Sequence, residues 1–249
     1  MTTKVVPGQL VAAPDPAQVA RDACLRIARA IRNAIRKNGS AAIALSGGNT
    51  PRDAYALLGH ESGIEWAKVD VFWVDERAVP PTDDRSNYRW AKATLLDAIG
   101  IAAERVHRMP ADRSDLDAAA REYERAIRDR VELDAEGMPA LDVVVLGVGD
   151  DGHTASLFPG ESTVDVTDRL VAFVPGAAGR EARLTLTPLA IEHARHVFIL
   201  AVGANKRPAL ERVWAAQGDV HQTPARVIRG VRGAVTWLID RAAGGIADT

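Results

Sequence analysis

The sequence predicts an α/β fold: one Rossmann-like domain over residues 1–249, with a mostly parallel sheet flanked by helices on both faces. Three observations carry that expectation. Short, mostly apolar runs at residues 41–45, 69–74 and 141–146 alternate with longer stretches of helical periodicity. Each run stops abruptly at glycine or at charge, as parallel strands do where they open onto a crossover helix. No repeat, low-complexity tract or Pro/Gly-rich linker divides the chain.

Asp15-Pro16 opens the first helix, a capping carboxylate followed by a proline that the first turn tolerates. Val19, Ala23, Ile27, Ala30, Ile31, Ala34 and Ile35 then recur at helical spacing, and Asn38-Gly39 supplies the stop. This helix is the only element expected before the first strand, at residues 41–45, which ends at Ser46-Gly47-Gly48. Pro51 suits the first turn of a helix running to Leu58. The second strand, residues 69–74, ends at Asp75-Glu76-Arg77 and a polar, proline-containing loop. Helices are expected over 87–99 and 115–131, and the most strand-like stretch, 141–146, ends at Gly147. Further strands fall at 171–174, 183–187, 196–202 and 234–238, with helices after Pro188 and over 206–216.

Charge and hydropathy narrow the function. The formal net charge of -2 is spread over mixed helical surfaces, with no concentrated basic stripe, which argues against a nucleic-acid partner. The longest apolar runs, such as 143–148 and 197–202, fall far short of the roughly 20 residues that a bilayer requires. The N-terminus lacks a basic region followed by an apolar one, so a cytoplasmic protein is expected. Cys24, the single cysteine, sits in a helical pattern and reads as a buried thiol. A small anion held at a focused site fits best.

The unusual residues all follow strand ends, where open α/β sheets place their ligands. Gly47-Gly48-Asn49-Thr50 leads straight into a helix, whose N-terminus offers free N–H groups to phosphate. The same turn also reads as a tight connection capped by Asn49 or Thr50, and no Gly-Lys-Ser/Thr makes it a P-loop. Asp75-Glu76-Arg77 is either a site or a salt-bridge knot, with Arg77 suited to a bidentate grip on an anion and Asp75 to orienting a base. Lys206 and Arg183, both near strand ends, are further cations for a phosphate.

The segment Gly147-Val148-Gly149-Asp150-Asp151-Gly152 formally satisfies a dinucleotide fingerprint. Two aspartates in the turn would repel a pyrophosphate, and Pro159 curtails the helix that should follow. The loop instead offers His153 beside Asp151, an imidazole able to exchange protons near neutrality with a carboxylate to set its tautomer. The other histidines match no zinc spacing, so no metal is expected.

Together these segments resemble the 6-phosphogluconolactonase family, which shares its fold with glucosamine-6-phosphate deaminases. The matching segments are Leu45-Ser46-Gly47-Gly48-Asn49-Thr50-Pro51, then Phe72-Trp73-Val74-Asp75-Glu76-Arg77 with Val79-Pro80 and Ser86-Asn87. Asp151-Gly152-His153-Thr154-Ala155-Ser156-Leu157-Phe158-Pro159 follows, then Arg183-Leu184-Thr185-Leu186-Thr187, and Gly203 to Lys206. The resemblance implies cofactor-free hydrolysis of a small sugar-phosphate lactone, 6-phospho-D-glucono-1,5-lactone, in the oxidative pentose phosphate pathway. It makes His153 the residue that activates water, and gathers the glycine turn, arginines and lysine around the phosphate. Where the family has a proline-rich approach to the arginine strand, this chain has Gly176-Ala177-Ala178-Gly179-Arg180, so either Arg180 or Arg183 faces the substrate.

Two rivals share the fold. Deaminases carry a glutamate five residues after the histidine, where Phe158 stands here, and an aromatic ring shuttles no proton. Non-catalytic sugar-phosphate sensors lose the Asp-Gly-His loop, which is intact here.

Overall fold

The computed structural model describes residues 4–246, so the extreme ends of the 1–249 span, residues 1–3 and 247–249, lie outside it. Its centre is a six-stranded parallel sheet in the order β1-β9-β8-β5-β2-β3. The strands are β1 (Gln9–Ala13), β2 (Ala41–Leu45), β3 (Val69–Trp73), β5 (Val143–Gly147), β8 (His196–Ala201) and β9 (Ala234–Asp240). β2 and β3 are buried at every position, which is why β2 reads as an unbroken apolar run, and β3 as one interrupted only by Asp70, rather than as alternation. Trp73, Phe72, Phe198 and Trp237 supply the largest buried side chains.

The first helix, α1 (Pro16–Asn38), follows its sequence signals closely. Asp15 Oδ1 accepts from the backbone of Gln18 at 2.8 Å, and Gly39 closes the helix at φ 83°. The apolar stripe from Val19 to Ile35 is buried against β1, β2, β5, β8 and β9. α2 (Asn49–Leu58) packs on α1. Residues 87–99, expected as one helix, are α3 (Asn87–Ala91) and α4 (Asp97–Ile99) joined by a π-helical turn at Lys92–Leu96. α5 (Leu116–Arg130) is capped by Asp115, and α6 (Pro188–Glu192) starts at its proline. α7 (Arg207–Trp214) and α8 (Arg241–Gly244) follow β8 and β9.

Three expectations are corrected. A strand precedes the first helix: β1 pairs in parallel with β9, from Gln9 against Thr236 to Ala13 against Asp240. Its apolar stretch, residues 10–13, is only four residues long, and at the sheet edge most of its side chains are exposed. Second, Asp75–Arg77 is not the start of a loop but β4, the edge of a separate antiparallel sheet with β7 (Arg183–Leu186) and β6 (Val171–Val174). Val74 is the joint, its N–H donating to Leu45 of the parallel sheet at 2.9 Å while its carbonyl accepts from Leu186 of β7 at 2.7 Å. Third, Ala204–Lys206 is a 3-10 turn ahead of α7, so Lys206 precedes the helix rather than opening it.

Candidate active site

The carboxyl ends of β2, β5 and β8 and the face of β4 and β7 enclose a cleft of about 230 Å³. Its lining includes Gly47, Gly48, Asn49, Thr50, Asp75, Arg77, His153, Arg183 and Lys206. The structure therefore brings together nine of the ten residues singled out from the sequence; Asp151 stands directly behind His153.

β5 delivers the histidine. Beyond Gly147 the chain folds back on itself, with Gly149 N donating to the His153 carbonyl at 2.8 Å and Gly152 N to the Gly149 carbonyl at 2.9 Å. A side chain at Gly149 would run into the imidazole, so only glycine lets the ring lie against the loop. Asp151 Oδ1 accepts from the His153 backbone N–H at 3.0 Å and lies 2.6 Å from the ring Nδ1. The hydrogen bond from His153 holds the Asp151 carboxyl down to about 2, so it is an acceptor. Nδ1 then carries the proton, and Nε2 is left as the basic nitrogen. Phe158 packs on the same ring, centroid to centroid 4.8 Å. Next to it Ala155 takes a left-handed φ of 47°, strain of the kind that collects at functional sites.

The loop is tied to the small sheet through one residue. Ser156 Oγ donates to Asp75 Oδ2 at 2.6 Å, and its N–H donates to Thr185 Oγ1 at 3.1 Å. Asp75, expected as one candidate to orient the imidazole, is thus engaged elsewhere. Its carboxylate accepts from Ser156 and, at 3.1 Å, from Asn87 Nδ2, and lies 3.6 Å from Arg183 Nη1. The carboxylate on the imidazole is that of Asp151.

Arg77 of β4 and Arg183 of β7 are direct cross-strand partners. Like charges placed opposite each other destabilise a ladder unless something anionic joins them. Arg77 Nη1 donates to the Arg85 carbonyl at 2.6 Å and to Asn87 Oδ1 at 2.9 Å, which fixes its direction. The Nε atoms of both arginines are buried without a hydrogen-bond partner among the described residues. Burial pushes Arg183 below its ordinary value, and Asp75 opposes that. Arg180, the other sequence candidate, does not line the cleft. It donates to Glu161 at 2.6 Å and its guanidinium lies over the Phe158 ring, 4.0 Å from the centroid.

The glycine turn completes the cleft. Gly48 sits at φ 104° and caps α2 without any side-chain hydrogen bond, so neither Asn49 nor Thr50 closes the helix end. The N–H groups of the first turn remain available to an anion. Asn87 nests against Gly47, where any Cβ would strike its side chain. Lys206 Nζ reaches into the cleft and donates to Asp150 Oδ1 at 2.7 Å.

Sequence reasoning missed Asn87, Ser156 and Glu76. Glu76 is buried and accepts from the N–H groups of Arg77, Asn87 and Tyr88 and from Ser86 Oγ. Those bonds clamp the start of α3, and with it Asn87, onto β4. Burial raises the Glu76 carboxyl above its usual range while the four donors pull it back.

Residues 14–237 match the family described as glucosamine-6-phosphate isomerases/6-phosphogluconolactonase. The chain belongs to that family. Among curated relatives, the 6-phosphogluconolactonase of Synechocystis sp. is 41% identical over 214 residues, 86% of this chain and 88% of that protein. The 6-phosphogluconolactonase of Nostoc sp. is 38% identical over 98% of this chain and 97% of its own. The solved 6-phosphogluconolactonase from Trypanosoma cruzi superposes with a TM-score of 0.84 at 31% identity, covering 100% of this chain and 99% of that one. Family membership accounts for the parallel sheet flanked by helices.

Proposed function

We propose that this member of the family hydrolyses 6-phospho-D-glucono-1,5-lactone to 6-phosphogluconate, as a cytoplasmic enzyme of the oxidative pentose phosphate pathway. The observation that carries this reading is the His153–Asp151 pair standing in the same cleft as two arginines in direct register. The names of the curated relatives support the substrate. No helix among the described residues is long and apolar enough to cross a membrane.

In the proposed reaction, the N–H groups of the Gly48-Asn49-Thr50 turn and Lys206 bind the 6-phosphate. This remote group contributes binding energy that positions the lactone carbonyl. His153 Nε2 takes a proton from water as the water oxygen attacks C1. The charge that develops on the carbonyl oxygen meets Arg77 and Arg183, whose directions are fixed before the substrate arrives. As the tetrahedral centre collapses, the bond from C1 to the ring oxygen breaks. The imidazolium returns its proton to that oxygen, leaving a hydroxyl and a C1 carboxylic acid, which then ionises and releases its proton to solvent. Asp151 keeps the ring in the useful tautomer and steadies its charge. Asp75 acts as a positioning residue, holding Arg183 and Asn87.

A deaminase would need an acid where Phe158 lies against the His153 ring. The test is proton release from freshly prepared 6-phosphogluconolactone, corrected for spontaneous hydrolysis, with glucosamine 6-phosphate run alongside. Release from the lactone alone is expected. Ammonia from glucosamine 6-phosphate, or no release above background, would overturn the reading.

A further inference from the structure

Asp150 has no task in the proposed reaction, yet its carboxylate is held as a ligand would be. Lys206 Nζ donates to Oδ1 at 2.7 Å, and Asn205 Nδ2 reaches Oδ1 and Oδ2 at 3.0 and 3.2 Å. Arg212 Nη2 donates to the Asp150 backbone carbonyl at 3.1 Å, so the side chain moves on a pinned main chain. The lysine is the more sheltered partner, at 24% side-chain exposure against 61% for the aspartate. Lys206 lines the cleft. An ammonium and a primary amide converging on two oxygens is also the donor set that a phosphate takes. Asp150 stays ionised through the neutral range, because Lys206 and then Asn205 hold its carboxyl below the usual value.

We propose that Asp150 is an affinity-setting residue: its carboxylate is an internal competitor for the Lys206 and Asn205 donors, and a phosphate takes them only by displacing it. The proposal rests on the phosphate reading of this cleft. An exposed pair of this kind weakens a rival ligand by no more than about fivefold. That is too little to exclude a dianion, which gains more from the lysine than a monoanionic carboxylate does. The same phosphate is present in substrate and product, so the competitor loosens both equally. Release of product is eased by the factor that substrate binding loses.

The test uses inorganic phosphate, titrated calorimetrically into the wild-type chain, Asp150→Asn and Lys206→Ala. KM for the lactone and the inhibition constant of 6-phosphogluconate are then measured in the first two. In Asp150→Asn all three constants should fall by one shared factor of about two to five. Lys206→Ala should weaken phosphate. If Lys206→Ala weakens phosphate while Asp150→Asn leaves it unchanged or weaker, Asp150 merely places the lysine and the proposal is wrong. If Lys206→Ala leaves phosphate binding untouched, the phosphate reading fails and takes the proposal with it.

Discussion

The parallel sheet and the small antiparallel sheet line one cleft, but they present their functional groups in opposite ways. From the parallel sheet come loops: β2 ends in the glycine turn, β5 in the histidine loop, β8 in the turn bearing Lys206. The small sheet presents strand residues themselves, with Arg77 and Arg183 in register across β4 and β7. A loop can bend an imidazole to a chosen angle, whereas a ladder holds two guanidinium groups at a fixed separation. In the proposed reaction the parallel side carries the proton transfer and the phosphate, and the small sheet meets the charge that develops at C1. Ser156 joins them, rooted in the loop and bonded to Asp75 and Thr185 of the small sheet.

The sharpest way to break this division is at the loop. His153→Ala should lower kcat by roughly 10²–10⁴-fold, the usual weight of a positioned acid–base group, with the cooperative unfolding transition retained. Steady-state kinetics and thermal unfolding check both parts. On the other side, Arg183→Met keeps bulk while removing charge. A charged hydrogen bond worth about 1.5–3 kcal/mol corresponds to a roughly 10- to 150-fold loss of kcat/KM. A loss confined to stability, with kinetics intact, would make Arg183 a structural residue only.

The joint itself gives a smaller effect on a different readout. Ser156→Ala leaves buried Asp75 Oδ2 without its shortest donor and should cost about 1–3 kcal/mol in urea unfolding. It should also lower kcat, because the loop loses its anchor on the small sheet.

The smallest effect concerns pH. Asp151 is depressed in the folded state, so its hydrogen bond to His153 contributes fully above the unfolded value near 3.9 and fades as pH falls through about 2. The difference in melting temperature between wild type and Asp151→Asn should therefore close as pH falls from about 4 toward 2. A difference that persists unchanged down to pH 2 would assign the stabilisation to another group.

Much of this was legible in the sequence, for a local reason. The buried strands β2 and β5 are apolar throughout, β3 is apolar but for Asp70, and α1 carries its own cap, stripe and glycine stop. The glycine turn and the His153 loop announce themselves because small and charged residues follow directly on a buried run. What stayed hidden is what long-range register decides. That Arg77 faces Arg183 depends on β4 leaving the parallel sheet at Val74, and the sequence shows Asp75-Glu76-Arg77 only as a charged cluster. For the same reason Asp75 and Asp151 were equal candidates for the imidazole. Asp151 holds it through a two-residue turn, while Asp75 meets Ser156, 81 positions further along the chain. Edge strand β1 escaped because its apolar stretch is only four residues long and its partner β9 lies at the far end of the chain.

The central claim, that His153 performs the proton transfer while Arg183 meets the charge at C1, is tested most directly by calorimetric titration of 6-phosphogluconate into His153→Ala. The account predicts wild-type affinity in a protein that no longer turns over, with Arg183→Met binding weakly in the same experiment. Loss of binding in His153→Ala, or full affinity in Arg183→Met, would contradict it.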